Sequence, residues 1–165
     1  MDRLNQHLLG LARHYTDCAL ESLGENLTSV VLFGSVARGE ARGDSDIDLL
    51  VVAGDLPRGA FDRRGLVAPA RERLLPELEA LWEQGMYIDF AEVIQTEAAA
   101  QRFHLLYLDL TEEGVLLYDR NGFFAGVLEA VRQRLTELGA RRRRLGQIVY
   151  WDLKPDLKPG EKLQL

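Results

Sequence analysis

Apolar residues recur at three- and four-residue intervals between residues 2 and 22, through Leu4, Leu8, Leu11, Tyr15 and Cys18. That period predicts an amphipathic helix, and Gly24 ends it. From about Leu27 the pattern changes to unbroken apolar runs. Val30–Phe33, bounded by Gly34, and Ile47–Val52 read as buried strands. Met86–Ile94, rich in β-branched and aromatic residues, predicts a third strand, and Val115–Tyr118 a short fourth. Residues 54–69 carry no periodicity and read as a loop. Residues 70–84 read as a helix in which Pro76 forces a kink or a split. Residues 95–112 read as a helix with Phe103, Leu106 and Leu110 inward. A long amphipathic helix is predicted over 123–144, with Phe124, Val127, Leu128, Val131, Leu135 and Leu138 as its stripe. Arg141–Arg144 would close it, where positive charge complements the helix dipole. Beyond it, two Lys-Pro pairs forbid regular helix and predict an extended arm over 147–165, with Tyr150 and Trp151 docked on the domain or on another subunit. The expected architecture is α+β (α/β), a small mixed sheet of about four strands flanked by helices, in one domain over 1–146.

Composition narrows the class. The chain has 165 residues, 47% hydrophobic and 28% charged, ordinary for a soluble globular domain. No apolar run reaches the length of a membrane span, and the amphipathic N-terminus is not signal-like, so a cytoplasmic address is the expectation. Cys18 stands alone and reads as a small core side chain. His7 and His14 lie seven apart rather than the four that a helical metal pair wants, and His104 reads as a surface residue. The net charge is −6, divided as +4 over residues 141–165 and −10 over the rest. An acidic body is a poor general binder of nucleic acid and suits a phosphate substrate already neutralised by a cation.

The chemistry is concentrated between Val30 and Val52, in VVLFGSVARGEARGDSDIDLLVV. Gly34 lets a ligand approach its backbone. Ser35 is placed to cap a helical turn over Val36–Glu40 and to offer its hydroxyl to a phosphate, and Arg38 could reach back to the same group. Asp46 and Asp48 are two apart and point to one face of a strand. Adjacent carboxylates repel unless a cation lies between them, and hard oxygen ligands suit Mg²⁺ shared with substrate phosphates. Gly34 and Gly39 have the spacing of a P-loop pair, but Glu40 stands where its lysine belongs.

Gly34-Ser35, the ten residues after it and Asp46-x-Asp48 resemble the signature of the DNA polymerase β-like nucleotidyltransferase superfamily, most closely its minimal nucleotidyltransferases (MNT proteins). The resemblance implies a polymerase β palm-like fold and the transfer of a nucleoside monophosphate, with ATP or another NTP as donor, to a hydroxyl. It implies two Mg²⁺ ions held by Asp46 and Asp48. A third carboxylate, matched by Asp89, would hold the ion nearer the acceptor and accept its proton. Gly34, Ser35 and Arg38 would hold the triphosphate. Asp89 is expected in the middle of the third strand. Glu92, three residues on, falls on the opposite face.

Minimal nucleotidyltransferases are often paired with HEPN-domain toxins, and some AMPylate a tyrosine of that toxin, so the resemblance implies a HEPN partner. The R-x4–6-H motif of the HEPN half is absent from this chain. Two other roles remain open: a non-catalytic antitoxin acting by contact, and a small-molecule nucleotidyltransferase. Arg58, Arg63 and Arg64, in the loop expected to border the site, could contact substrate. A homo-oligomer is left open.

Overall fold

The computed structural model describes residues 3–146, 148–158 and 160–161. A first helix, α1 (Arg3–Leu23), runs one residue past its predicted end, and Gly24 turns the chain at φ +53. Strand β1 (Leu27–Phe33) follows, then a five-residue helix α2 (Gly34–Arg38) and strand β2 (Ile47–Ala53). After α3 (Ala60–Glu83) come β3 (Phe90–Thr96), α4 (Glu97–Ala100), α5 (Leu106–Glu113) and β4 (Val115–Asp119). Helix α6 (Phe123–Glu137) leads into β5 (Arg141–Leu145) and β6 (Ile148–Asp152).

The main sheet has the order β3-β2-β1-β4. It is mixed: β1 lies antiparallel to β2 and β4, while β2 and β3 are parallel and joined across α3. Alternation along the central strands sends side chains to both faces. Leu27, Leu32, Ile47, Leu49 and Val51 pack with Leu8, Leu11 and Tyr15 of α1 and with Val67, Ala70, Leu74 and Leu78 of α3. Val31, Leu50 and Val52 pack on the other face against Tyr107, Leu110, Phe124 and Leu128 of α5 and α6. The sheet is thus a middle layer between two helical ones, the α+β arrangement of about four strands read from the sequence. Among the described residues no helix is long and apolar enough to cross a membrane.

Several expectations need correction, among them the third strand, which runs over Phe90–Thr96 rather than from Met86. Residues 60–69, read as loop, are the first turns of α3, which includes both Pro69 and Pro76. Both prolines lie on the exposed side, so the carbonyls they leave without an N–H partner can turn to water. Arg63 and Arg64 therefore sit on a helix, and Arg63 donates to the carbonyl of Pro57 at 2.7 Å. The helix expected over 95–112 is two helices, separated by residues 101–105.

The long C-terminal helix stops at Glu137, where Gly139 takes φ +66. Arg141–Arg144 are strand, not helix end, and Ile148–Asp152 pair with them in a hairpin rather than an extended arm. Leu145 pairs with Ile148 across a two-residue connection that starts at Gly146, φ +64. Trp151 packs against the α5–α6 core, while Tyr150 stays exposed. The remaining arm positions, 147, 159 and 162–165, lie outside the described residues.

Candidate active site at the ends of β1 and β2

At the end of β1, Phe33 pairs with Asp48 of β2. The chain then bends at Gly34, φ +70, directly into α2. A Cβ on Gly34 would overlap Oδ2 of Asp48 and lie 3.0 Å from its Cγ. Glycine is therefore required twice, for the left-handed backbone and for the close approach of the carboxylate. Ser35 does not cap α2 as expected. The residue in the cap position is Phe33, without a side-chain hydrogen bond, and Ser35 lies within the first turn.

Asp46 precedes β2 and is exposed, while Asp48 is half-buried. The Asp48 carboxyl is pushed above the usual carboxylate range, chiefly by burial and then by the charge of Asp46, with Arg38 opposing. Asp48 thus carries its carboxyl in the field of a second carboxylate two residues away. That is a donor pair that fits a hard dication, so Asp46 and Asp48 could hold Mg²⁺. Arg38 pairs with Glu40 at 2.8 Å and with Glu113 of α5 at 3.2 Å.

The loop that returns the chain to Asp46 is fixed from two sides. Arg42 and Ser45 close a turn on each other, at 2.9 and 3.1 Å. The fully buried Asn5 of α1 donates to the carbonyl of Val36 and accepts from the N–H of Ala41, at 3.0 and 3.1 Å. The sequence reading missed Asn5, although a polar residue between Leu4 and Leu8 on an inward helix face was its signal.

Asp89 ends outside β3, one residue before Phe90, rather than in mid-strand. Its carbonyl accepts from the N–H of Ile47 at 2.8 Å, and Ile47 is in register with Phe90, so its backbone runs beside Asp46. Its carboxylate does not join the pair. Oδ1 accepts from Arg71 of α3 at 2.6 Å and from the N–H of Phe90 at 2.7 Å. Among the described residues no three His, Cys, Asp or Glu side chains are grouped to hold a metal ion. The three carboxylates expected to converge are therefore not grouped among the described residues, and that of Asp89 rests on Arg71.

Arg71 also escaped the sequence reading. It donates to Oε2 of Glu92 at 3.0 Å and to the carbonyl of Phe90 at 3.3 Å, and Tyr15 donates to Oε1 of Glu92 at 3.3 Å. The Glu92 side chain is 3% exposed. Burial pushes its carboxyl up and Arg71 pulls it back, while burial followed by the Glu92 charge pushes the Tyr15 hydroxyl up. Glu92, expected on the face opposite Asp89, instead shares Arg71 with it, because Asp89 lies before β3 and outside its alternation.

The sequence model of the nucleotidyltransferase domain family matches residues 18–117. A protein of Methanocaldococcus jannaschii that carries the provisional name of a protein adenylyltransferase is 30% identical over 112 residues, 68% of this chain and 72% of that one. A provisionally named nucleotidyltransferase of Sulfolobus solfataricus is similar in structure. It has 25% identity over 70% of this chain and 84% of that one, with a TM-score of 0.47. A chain from a complex of tri-AMPylated Shewanella oneidensis HEPN toxin with an MNT antitoxin has 16% identity over 79% of this chain and 92% of its own, with a TM-score of 0.44.

Proposed function

The chain belongs to the nucleotidyltransferase domain family and is a nucleotidyltransferase, and from that premise we propose that it moves AMP from ATP to a hydroxyl on a protein acceptor. The adenylyl reading is supported by the Methanocaldococcus jannaschii relative. The observation that carries the site is the Asp48 carboxylate pressed against the Gly34 bend, with the charge of Asp46 acting on it. Asp46 and Asp48 are the residues that would hold Mg²⁺. When bound, Mg²⁺ offsets phosphate charge and lowers the pKa of the attacking hydroxyl, and two ions are the expected number.

The bare backbone of Gly34 lets the phosphate chain lie close to both carboxylates. Ser35 offers a hydroxyl, and Arg38 a charge for the leaving pyrophosphate. The acceptor oxygen bonds to the α-phosphorus as the bond to the β-phosphate oxygen breaks. The hydroxyl proton passes to Asp89 once its carboxylate has left Arg71, and pyrophosphate leaves with the displaced electron pair. A HEPN-domain protein is the acceptor class that the motif implies.

Intact-mass measurement tests this. After incubation with ATP, Mg²⁺ and a purified HEPN-domain protein, the acceptor should gain AMP, and Asp46→Asn/Asp48→Asn should remove the gain. One observation favours a second reading, a contact-only partner of a HEPN protein: Asp89 sits on Arg71 instead of beside Asp46 and Asp48. Inhibition of the HEPN protein by the double variant without any mass change would decide for it.

A further inference from the structure

Four consecutive arginines on one strand repel one another, and β5 carries them on a two-stranded ribbon apart from the main sheet. The charge of Arg143 is met by Asp152 at 2.9 Å and that of Arg142 by Glu113. The side chain of Arg144 has no hydrogen-bond or ion-pair partner among the described residues. Arg142 and Arg144, two apart, share a strand face, and both line a cavity of about 720 Å³ together with Arg38 and Glu113. Four arginines and three carboxylates line it altogether, in a chain whose net charge is −6.

Glu113 is the joint. One of its carboxylate oxygens accepts from Arg38 of α2 and the other from Arg142 of β5, and the side chain is only 18% exposed. One anion thus holds two guanidiniums, from separate elements, each through one N–H on its own carboxylate oxygen. Phosphate oxygens are bound by the same geometry, and more strongly as their charge rises.

We propose that the β5–β6 hairpin completes the nucleotide site: Arg142 and Arg144, with Arg38, receive the β- and γ-phosphates of the triphosphate, and Glu113 keeps Arg38 and Arg142 together until the phosphate chain takes its place. This rests on the reading of Arg38 as a phosphate ligand. A concave site with three carboxylates on its walls admits a short phosphate chain and repels the extended backbone of a nucleic acid.

Isothermal titration with ATP, inorganic tripolyphosphate and AMP tests it on the full chain. Arg142→Ala/Arg144→Ala should weaken ATP and tripolyphosphate about tenfold or more, the scale of a lost charge-assisted contact, and leave AMP unchanged. Glu113→Gln removes the competing anion and should tighten tripolyphosphate, a gain that a damaged fold cannot mimic. The proposal is overturned by unchanged ATP and tripolyphosphate affinity in the double variant, by an equal loss for AMP, or by a loss in Glu113→Gln. It is also overturned if the double variant loses only the affinity for a single-stranded RNA oligonucleotide. Wild-type protein that binds ATP through Asp48, matched by the hairpin variant, sinks this inference alone; wild-type protein that binds no ATP sinks the adenylyltransfer reading with it.

Discussion

Gly34, the first residue after β1, lies so close to Asp48 of β2 that a methyl group on the glycine would displace the carboxylate. Gly34→Ala therefore strikes the site and the backbone together. The φ of +70 should cost about 1–2 kcal/mol of stability. The movement of Asp48 should lower Mg²⁺-dependent ATP affinity by more than that folding loss accounts for. Thermal melts and ATP titration on the same sample separate the two effects. A variant that melts early yet binds ATP as the wild type does would contradict the geometry.

Asp48 works against the fold at neutral pH. Its carboxyl is raised by burial and by Asp46, so the ionised form is less welcome in the folded chain than in the unfolded one. The resulting destabilisation is fully present above the raised folded pKa and vanishes below the unfolded value, where both states are protonated. Asp48→Asn should accordingly raise Tm at pH 7, by a few degrees at most because solvent screens a half-buried charge. The gain should shrink as pH falls through the carboxylate range. Mg²⁺ should stabilise the wild type and not this variant. A Tm that falls on substitution at pH 7 would argue against the repulsion.

Arg71 is the only cation within reach of the buried Glu92 among the described residues' ion pairs. Arg71→Ala leaves that carboxylate uncompensated and should cost roughly 3 kcal/mol, a Tm drop of about 6–12 °C. Arg71→Met/Glu92→Leu should recover most of it. Equal losses in the single and double variants, by chemical denaturation, would show that the pair is not coupled.

The same arginine holds Asp89. If Asp89 serves the acceptor side, Asp89→Asn should nearly abolish transfer and spare MgATP binding, as read by mass gain on the acceptor and by ATP titration. Equal loss of both would refute the division of labour between Asp89 and the Asp46–Asp48 pair.

What the chain declared in advance was local. Gly34, Ser35, Asp46 and Asp48 lie within one strand–turn–strand unit, and apolar runs mark both strands. The side chains that position them come from far along the chain: Asn5 from α1, Arg71 from α3, Glu113 from α5. Only Asn5 left a trace, as a polar residue on an inward helix face; Arg71 and Glu113 read like any charged residue on a helix surface. The start of α3 was obscured by Pro69 and Pro76, whose cost depends on which side of the helix they face. Arg141–Arg144 misled for another reason. All four are exposed on a ribbon, so no alternation of burial marks them as strand, and Gly139 was the only stop signal before them.

The central claim, that Asp46 and Asp48 hold a divalent cation against a nucleotide's phosphates at the Gly34 bend, is tested most directly by calorimetric titration of ATP with Mg²⁺ and with EDTA, on wild-type protein and Asp48→Asn. The account predicts binding that requires Mg²⁺ in the wild type and is lost in the variant. Equal ATP affinity with EDTA, or in Asp48→Asn with Mg²⁺, would contradict it.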